Sequence, residues 1–291
     1  MKHLKLHNCL FHPPPAFKGF NQLVSLELYE VTISSEVLGR LISRSLLLEQ
    51  LVLEISSILN HIQIKAPKLR SFDFTGNIEL ICIKKAPLLV KLSLVNTAEL
   101  SEEARQSDHA KYFESFPALE HLNLNYLSVM VLDAGSGDIA AKLSSPLNCL
   151  KCLCLSDICL DELDEFSYVL CLIRSSPYLQ DIQMKIFYVA LDTLIDPVRG
   201  DVVNDIPASF RDVTLNHLRV ARLDNITGTK PEMELIKLLL AKSPMLVRML
   251  LQPNKGQEFA ETRLKVLADI TKFSRASPKA EVDYNVDNNL V

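Results

Sequence analysis

An α/β solenoid, a curved parallel sheet with short helices between its strands, is the fold class predicted by this sequence of 291 residues. Three observations lead there. Leucine occurs 51 times, an excess over the other apolar types that points to a motif repeating leucine at fixed positions. That motif, L-x-x-L-x-L with apolar variants, begins at Met1, Leu23, Leu48, Leu69, Leu89, Leu119, Leu150 and Leu179, in steps of 22, 25, 21, 20, 30, 31 and 29 residues. The steps match a leucine-rich-repeat period of about 20–29, slightly overrun in the second half. Finally, Pro67, Pro87, Pro117 and Pro177 each stand two residues before the first leucine of a repeat. Proline ends a preceding helix or turn and sets an extended approach to the next strand.

The elements follow from the strand period of two. The last two apolar residues of each motif point inward: Leu4 and Leu6, Leu26 and Leu28, Leu51 and Leu53, Phe72 and Phe74, Leu92 and Leu94, Leu122 and Leu124, Leu153 and Leu155, Ile182 and Met184. One such unit cannot bury its apolar face, whereas stacked neighbours can, with their strands forming a parallel sheet on the concave side. Short helices or irregular turns are expected between strands. Ser34-Ser35 opens one, with Val37, Leu38, Leu41 and Ile42 at helical spacing; Leu163, Phe166, Leu170 and Ile173 mark another in 161–174. Many such repeats place Asn or Cys three residues after the last leucine, where it bonds backbone in the turn. Only Cys9 and Asn77 fit, so irregular turns are expected. Segments 98–112 and 133–146 read as polar loops, and 190–210, with Pro197, Gly200 and Pro207, as an insertion or boundary.

Composition narrows the function classes. No apolar run approaches the roughly 18–20 residues needed to cross a bilayer, and 31 basic against 35 acidic residues argue against a broad surface for nucleic-acid phosphates. Glycine, at 8 of 291, is too scarce for several phosphate-cradling loops. Seven cysteines without paired spacing, and an N-terminus lacking a continuous apolar stretch, point to an intracellular compartment, nucleus or cytoplasm.

Candidate chemistry is sparse. Cys149 and Cys152 have the gap of a zinc knuckle, but no second knuckle accompanies them; Cys152 and Cys154 flank Leu153 on a repeat strand and read as ordinary thiols. His3, His7 and His12 cluster without a carboxylate or cysteine to complete a ligand set. The run Asp161-Glu162-Leu163-Asp164-Glu165 suits a helix N-terminus for dipole reasons alone. No nucleophile elbow, metalloprotease motif, P-loop or dinucleotide fingerprint occurs, so no enzyme, cofactor or metal is expected. What remains is the outward strand surface: His3, Lys5 and His7; Ser25, Glu27 and Tyr29; Gln50, Val52 and Glu54; Ser71, Asp73 and Thr75; Lys91, Ser93 and Val95; His121, Asn123 and Asn125; Cys152, Cys154 and Ser156; Asp181, Gln183 and Lys185. Its mixed charge and hydrogen-bonding groups suit a protein or peptide partner better than phosphate backbone. The residues taken as the contact set are Tyr29, Gln50, Glu54, Asp73, Lys91, His121, Asn123, Asn125, Asp181 and Lys185, with Tyr29 the one aromatic anchor.

Toward the C-terminus, Leu218, Ala221 and Leu223 still fit a repeat strand. Thr229-Lys230-Pro231-Glu232 then opens a helix, with Thr229 as cap, Glu232 reaching back and Pro231 in the first turn. The helix would bury Met233, Ile236, Leu239 and Leu240, end before Ser243-Pro244, and return to a strand at Leu246, Met249 and Leu251. At these residues the sequence resembles the FBD domain of plant F-box/FBD/LRR-repeat proteins. The similarity is carried by Leu218-Arg219-Val220, by Pro231-Glu232-Met233-Glu234-Leu235-Ile236-Lys237-Leu238-Leu239-Leu240-Ala241-Lys242-Ser243-Pro244, and by Ser274-Arg275-Ala276-Ser277-Pro278-Lys279-Ala280-Glu281. The leucine-rich part is similar to the repeats that precede that domain. The organisation expected is a repeat region over 1–205, an FBD-like domain over 206–285 closing the solenoid as an end cap, and a tail over 286–291.

The resemblance implies an intracellular adaptor that selects proteins for a Skp/cullin/F-box ubiquitin ligase. The family also carries an N-terminal F-box that docks on the Skp adaptor, whereas these residues open inside a repeat at Met1-Lys2-His3-Leu4-Lys5-Leu6. The expectation for them is therefore the substrate-selecting half, with a Skp adaptor as partner only if an F-box is supplied upstream. The alternative is an F-box-less scaffold or competitor that binds the same partners without ubiquitination.

Overall fold

The computed structural model describes residues 1–14, 17, 19–84, 86–97, 116–133, 143, 145–187, 213–256 and 260–285. The segments expected as loops or insertions at 98–112 and 190–210, most of the one at 133–146, and the tail lie outside these. The chain forms two compact units, Met1–Asp138 and Ile139–Val291. Both belong to the α/β leucine-rich-repeat class expected from the sequence.

The first unit contains β1 (His3–His7), β2 (Ser25–Val31), α1 (Ser35–Arg44), β3 (Gln50–Lys65), β4 (Ser71–Lys84), β5 (Lys91–Asn96), β6 (His121–Asn125) and α2 (Tyr126–Asp133). Its six strands pair in chain order, all parallel, in the register set by the leucines: Leu26 opposite Leu51, Leu51 opposite Phe72, Phe72 opposite Leu92, Leu92 opposite Leu122. The second unit contains β7 (Cys152–Ile158), α3 (Leu163–Ser175), β8 (Asp181–Ile186), β9 (Val220–Ile226), α4 (Lys230–Lys242), β10 (Arg248–Pro253), α5 (Ala260–Ile270) and β11 (Glu281–Tyr284). Its strands are again parallel and in chain order.

Stacking is enforced by a dry leucine interior. The three apolar positions of the motif are at most 3% exposed in the repeats beginning at Leu23, Leu48, Leu69, Leu89, Leu119, Leu150 and Leu179, while Leu4 and Leu6 in the outermost strand β1 are half-buried. Each fully buried leucine is worth about 1.5–3 kcal/mol relative to exposure, so neighbouring repeats hold one another in place.

The prolines act through a turn. The N–H of Leu69 donates to the carbonyl of Ala66 at 3.0 Å, Leu89 to Ala86 at 3.1 Å, Leu119 to Phe116 at 3.2 Å and Leu179 to Ser176 at 3.2 Å. This puts Pro67, Pro87, Pro117 and Pro177 second in a four-residue turn, where their fixed φ and missing N–H cost nothing. Leu246 with Ser243 and Ala280 with Ser277 repeat the bond around Pro244 and Pro278, so the same turn recurs through the C-terminal segment.

Spacer length decides what lies between strands. The 25- and 29-residue steps accommodate α1 and α3, as expected. Ser34 caps α1 by accepting the N–H of Val37 at 3.3 Å, and Leu38, Leu41 and Ile42 are its buried face. In α3, Phe166, Leu170 and Ile173 are buried while Leu163 is exposed. The 21- and 20-residue steps leave too little chain for a helix, and there β3 and β4 run on past a register shift between Ile55 and Leu59 and pair a second time, from Leu59 opposite Ile78 to Lys65 opposite Lys84. Isoleucines at period two, Ile62 and Ile64 facing Ile81 and Ile83, supply the β-branched inner row. In the second unit α4 matches the expected bounds, with Ile236, Leu239 and Leu240 buried and Met233 only partly so. Helices α2 and α5 and strand β11 complete the elements.

Candidate functional site

Strand pairing lines up the residues read as outward, although Ser25, Ser93 and Asn125 among them are buried. In the first unit, strand pairing aligns His3, Ser25, Gln50, Ser71, Lys91 and His121 in one row and Lys5, Glu27, Val52, Asp73, Ser93 and Asn123 in the next; His7, Tyr29, Glu54, Thr75 and Val95 make a third. Neighbours in a row are about 4.8 Å apart, close enough to interact across strands. Lys5 pairs with Glu27 at 3.1 Å and Lys91 with Asp73 at 3.0 Å. The hydrogen bond to Glu27 holds the Lys5 ammonium above the usual lysine range. Ser25 donates to Gln50 at 3.3 Å, Ser71 to Asp73 at 3.3 Å and Asn123 to Ser93 at 2.9 Å. Exposed ion pairs like these are screened by solvent, so they define the pattern of the surface more than the stability of the fold.

Tyr29 sits at the centre of the most ordered cluster. Its hydroxyl donates to Glu27 at 3.3 Å, its ring stacks on His7 at 5.4 Å, and the Lys5 ammonium lies 4.7 Å from the ring centroid. Glu54, the register partner of Tyr29 on β3, is exposed.

In the second unit the rows run Cys152, Asp181, Val220, Arg248 and Glu281; Cys154, Gln183, Arg222, Leu250 and Asp283; and Ser156, Lys185, Asp224 and Gln252. Arg248 pairs with Asp283 at 2.7 Å, and Gln183 donates to Asp181 at 3.2 Å. Partial burial pushes the Asp224 carboxyl up, against the pull of Arg222 and Lys185. Arg222, Asp224, Arg248 and Asp283 carry these rows onto β9 to β11; the strands at Leu218, Ala221 and Leu223 and at Leu246, Met249 and Leu251 are those expected, but their outward residues lie outside the face read from the sequence.

Asn125 does not belong to the accessible set. It is 5% exposed, and its carboxamide accepts from the N–H of Asn96 at 3.1 Å and from the Ser128 N–H at 3.1 Å and hydroxyl at 2.7 Å, while donating to the Asn96 carbonyl at 2.7 Å. Asn96 in turn donates to the carbonyl of Ile78 at 3.1 Å and accepts its N–H at 3.3 Å, and Asn225 donates to the carbonyl of Ile186 at 2.8 Å. The side-chain ladder therefore rests on asparagines one or two residues after the last leucine position, in place of the expected Cys9 and Asn77. A recurrent bulge marks the same stretch in several repeats. Asn8, Glu30, Asp157 and Asn225, each two residues after the last leucine position, take positive φ of 46°, 52°, 58° and 72°, and strand register shifts there between Tyr29 and Val31 and between Ser156 and Ile158. Asn and Asp tolerate that conformation best, and their enrichment two residues after the motif was the signal available in the sequence.

The other candidates are placed as follows. His3, His7 and His12 are exposed, Cys149 is exposed, Cys152 and Cys154 are half-buried, and Cys159 is buried, its thiol pushed up to about 11 chiefly by that burial. Among the described residues no group of three or more His, Cys, Asp or Glu is arranged to hold a metal. Of the acidic run, Glu165 turns inward as the third residue of α3: it is 8% exposed, accepts the Cys159 N–H at 2.7 Å, and burial raises its carboxyl to about 7. Glu232 occupies the same position in α4. It accepts the N–H groups of Thr227, Gly228 and Thr229 at 3.0, 2.6 and 3.1 Å, and burial outweighs their pull to bring it to about 7 as well.

Outward polar rows over a leucine-packed parallel sheet define a leucine-rich-repeat protein of the interaction type. Residues 1–184 match the family model described as FBD-associated F-box protein At5g56370, LRR repeats, and the chain belongs to that family. It is 27% identical over 288 residues to the F-box/FBD/LRR-repeat protein At1g13570 of Arabidopsis thaliana, a similarity that takes in 96% of this chain and 66% of that protein. The chain thus spans just under two thirds of that relative's length. No solved structure matches. No helix among the described residues is long and apolar enough to cross a membrane.

Proposed function

We propose that this chain is a non-catalytic recognition module that grips a protein or peptide through the open face of its sheet, and that it serves as the substrate-selecting part of a Skp/cullin/F-box-type ubiquitin-ligase adaptor in the nucleus or cytoplasm. The observation that carries the reading is the three-row alignment of Tyr29, Gln50, Glu54, Asp73, Lys91, His121 and Asn123 on the first unit; Asp181 and Lys185 stand in rows of their own on the second. Such a surface combines an aromatic group with charged and hydrogen-bonding neighbours, groups that protein interfaces use. The adaptor role rests on family membership, and we propose residues 206–285 as an FBD-like domain within it. The test compares affinity capture by the wild-type chain and by a Glu54→Lys, Asp73→Lys, Lys91→Glu variant from the same cell extract. Partners lost from a variant that keeps its melting temperature place the contact on this face, and an unchanged partner set removes it. Accumulation of a captured partner when the protein is depleted supports the ligase role, and an unresponsive partner level contradicts it.

A further inference from the structure

We propose that Tyr29 and Glu54 form a slot for one cationic side chain, an arginine guanidinium or a lysine ammonium, presented by the partner. The inference rests on the reading that the first unit's open face binds protein, and it fixes the chemistry of what that face takes.

The charges on this face are already sorted. Lys5 is neutralised by Glu27 and Lys91 by Asp73. Of the five charged side chains in the three rows, that leaves Glu54, exposed and without an ion pair among the described residues, on β3, the third of six strands. The face therefore carries a residual negative charge near its middle, and an anionic partner group would meet it unfavourably.

Tyr29 lies directly across the strand pair from Glu54, about 4.8 Å away at the backbone. Three contacts fix its ring: the hydroxyl on Glu27, the stacked His7 and the ammonium of Lys5. His7 and Lys5 both come from β1, on the side away from β3, so the ring face turned toward β3 is the one that looks onto Glu54. A cation placed between them gains a carboxylate and an aromatic face at once, the ring already held in position before binding. Val52, half-buried on the same strand two residues before Glu54, offers apolar surface for the aliphatic stem of such a side chain.

The experiment pans a random library of short displayed peptides against the full chain and measures the enriched sequences on single variants by fluorescence anisotropy. The slot predicts enrichment of arginine- or lysine-bearing peptides whose affinity falls about tenfold or more on Glu54→Gln and on Tyr29→Leu, is retained by Tyr29→Phe, and changes less than about twofold on Glu36→Gln, an exposed carboxylate of α1 outside the outward rows. Enriched peptides that lack a basic residue, or basic ones indifferent to Glu54→Gln, overturn the slot. If those peptides still weaken on Gln50→Ala or Lys91→Ala, the face stands as a binding surface without it. Binding indifferent to every substitution on the face, or no enrichment at all, overturns both.

Discussion

Asn96 and Asn125 each accomplish with one carboxamide what strand residues do with their backbone: they satisfy the N–H and the C=O of the preceding repeat. Removing Asn125 would orphan the Asn96 carbonyl and cost Ser128 the acceptor for both its N–H and its hydroxyl, all of them buried. Asn125→Ala is expected to destabilise the protein by roughly 2–4 kcal/mol, read as a lowered denaturation midpoint. A contact residue would instead lose partner capture at unchanged stability, so the one variant separates the two roles. Strand alternation alone could not reveal this. Period two places Asn125 outward with Asn123, whereas its bonds to the Asn96 backbone and to Ser128 of α2 hold the carboxamide in a buried site that strand period does not encode.

At the scale of elements, the strongest constraint on a junction falls at Gly228, between β9 and α4. Its φ is +88°, and a Cβ there would collide with Val266 Cγ2 of α5 and press on Thr262 Cγ2. Gly228→Ala therefore combines backbone strain with overpacking and should cost about 2–4 kcal/mol in chemical denaturation, far more than Gly39→Ala, where a Cβ meets nothing within 4 Å. The helices with caps were legible in the sequence: Ser34 before α1 and Glu232 reaching back at the start of α4 carry local signals that need no tertiary context. The second pairing of β3 with β4 was not. Its isoleucine rows are too short to distinguish a strand from a turn, and only the crowding of two consecutive short repeats makes the pairing available. Helix α5 lay hidden for a related reason, since Leu264 and Leu267 are exposed at 73% and 41% and spoil the apolar stripe that periodicity seeks.

For the whole molecule, the repeat and its register were readable because leucine spacing is a one-dimensional property that stacking converts directly into structure. Burial of a charged group is not, and both inward-turned glutamates, Glu165 and Glu232, lie in the second unit. Their carboxyls titrate near 4.5 in the unfolded chain and at about 7 in the fold. Between those values the folded state holds more protons than the unfolded one, so stability must fall as pH rises through the window and level off above it. The expected loss is on the order of 2 kcal/mol for each carboxyl. Chemical denaturation at intervals from pH 4.5 to 8 should show that decline. If the two units unfold in separate transitions, the one that moves is the second. Glu165→Gln keeps an acceptor for the Cys159 N–H, and Glu232→Gln can keep its oxygen on the three N–H groups while its amide donates to the Thr227 hydroxyl. Either variant should remove about half of the slope and the double variant nearly all of it. A double variant with the wild-type slope, or a wild-type stability that rises from pH 5 to 7, would show that these two carboxyls stay ionised in the fold.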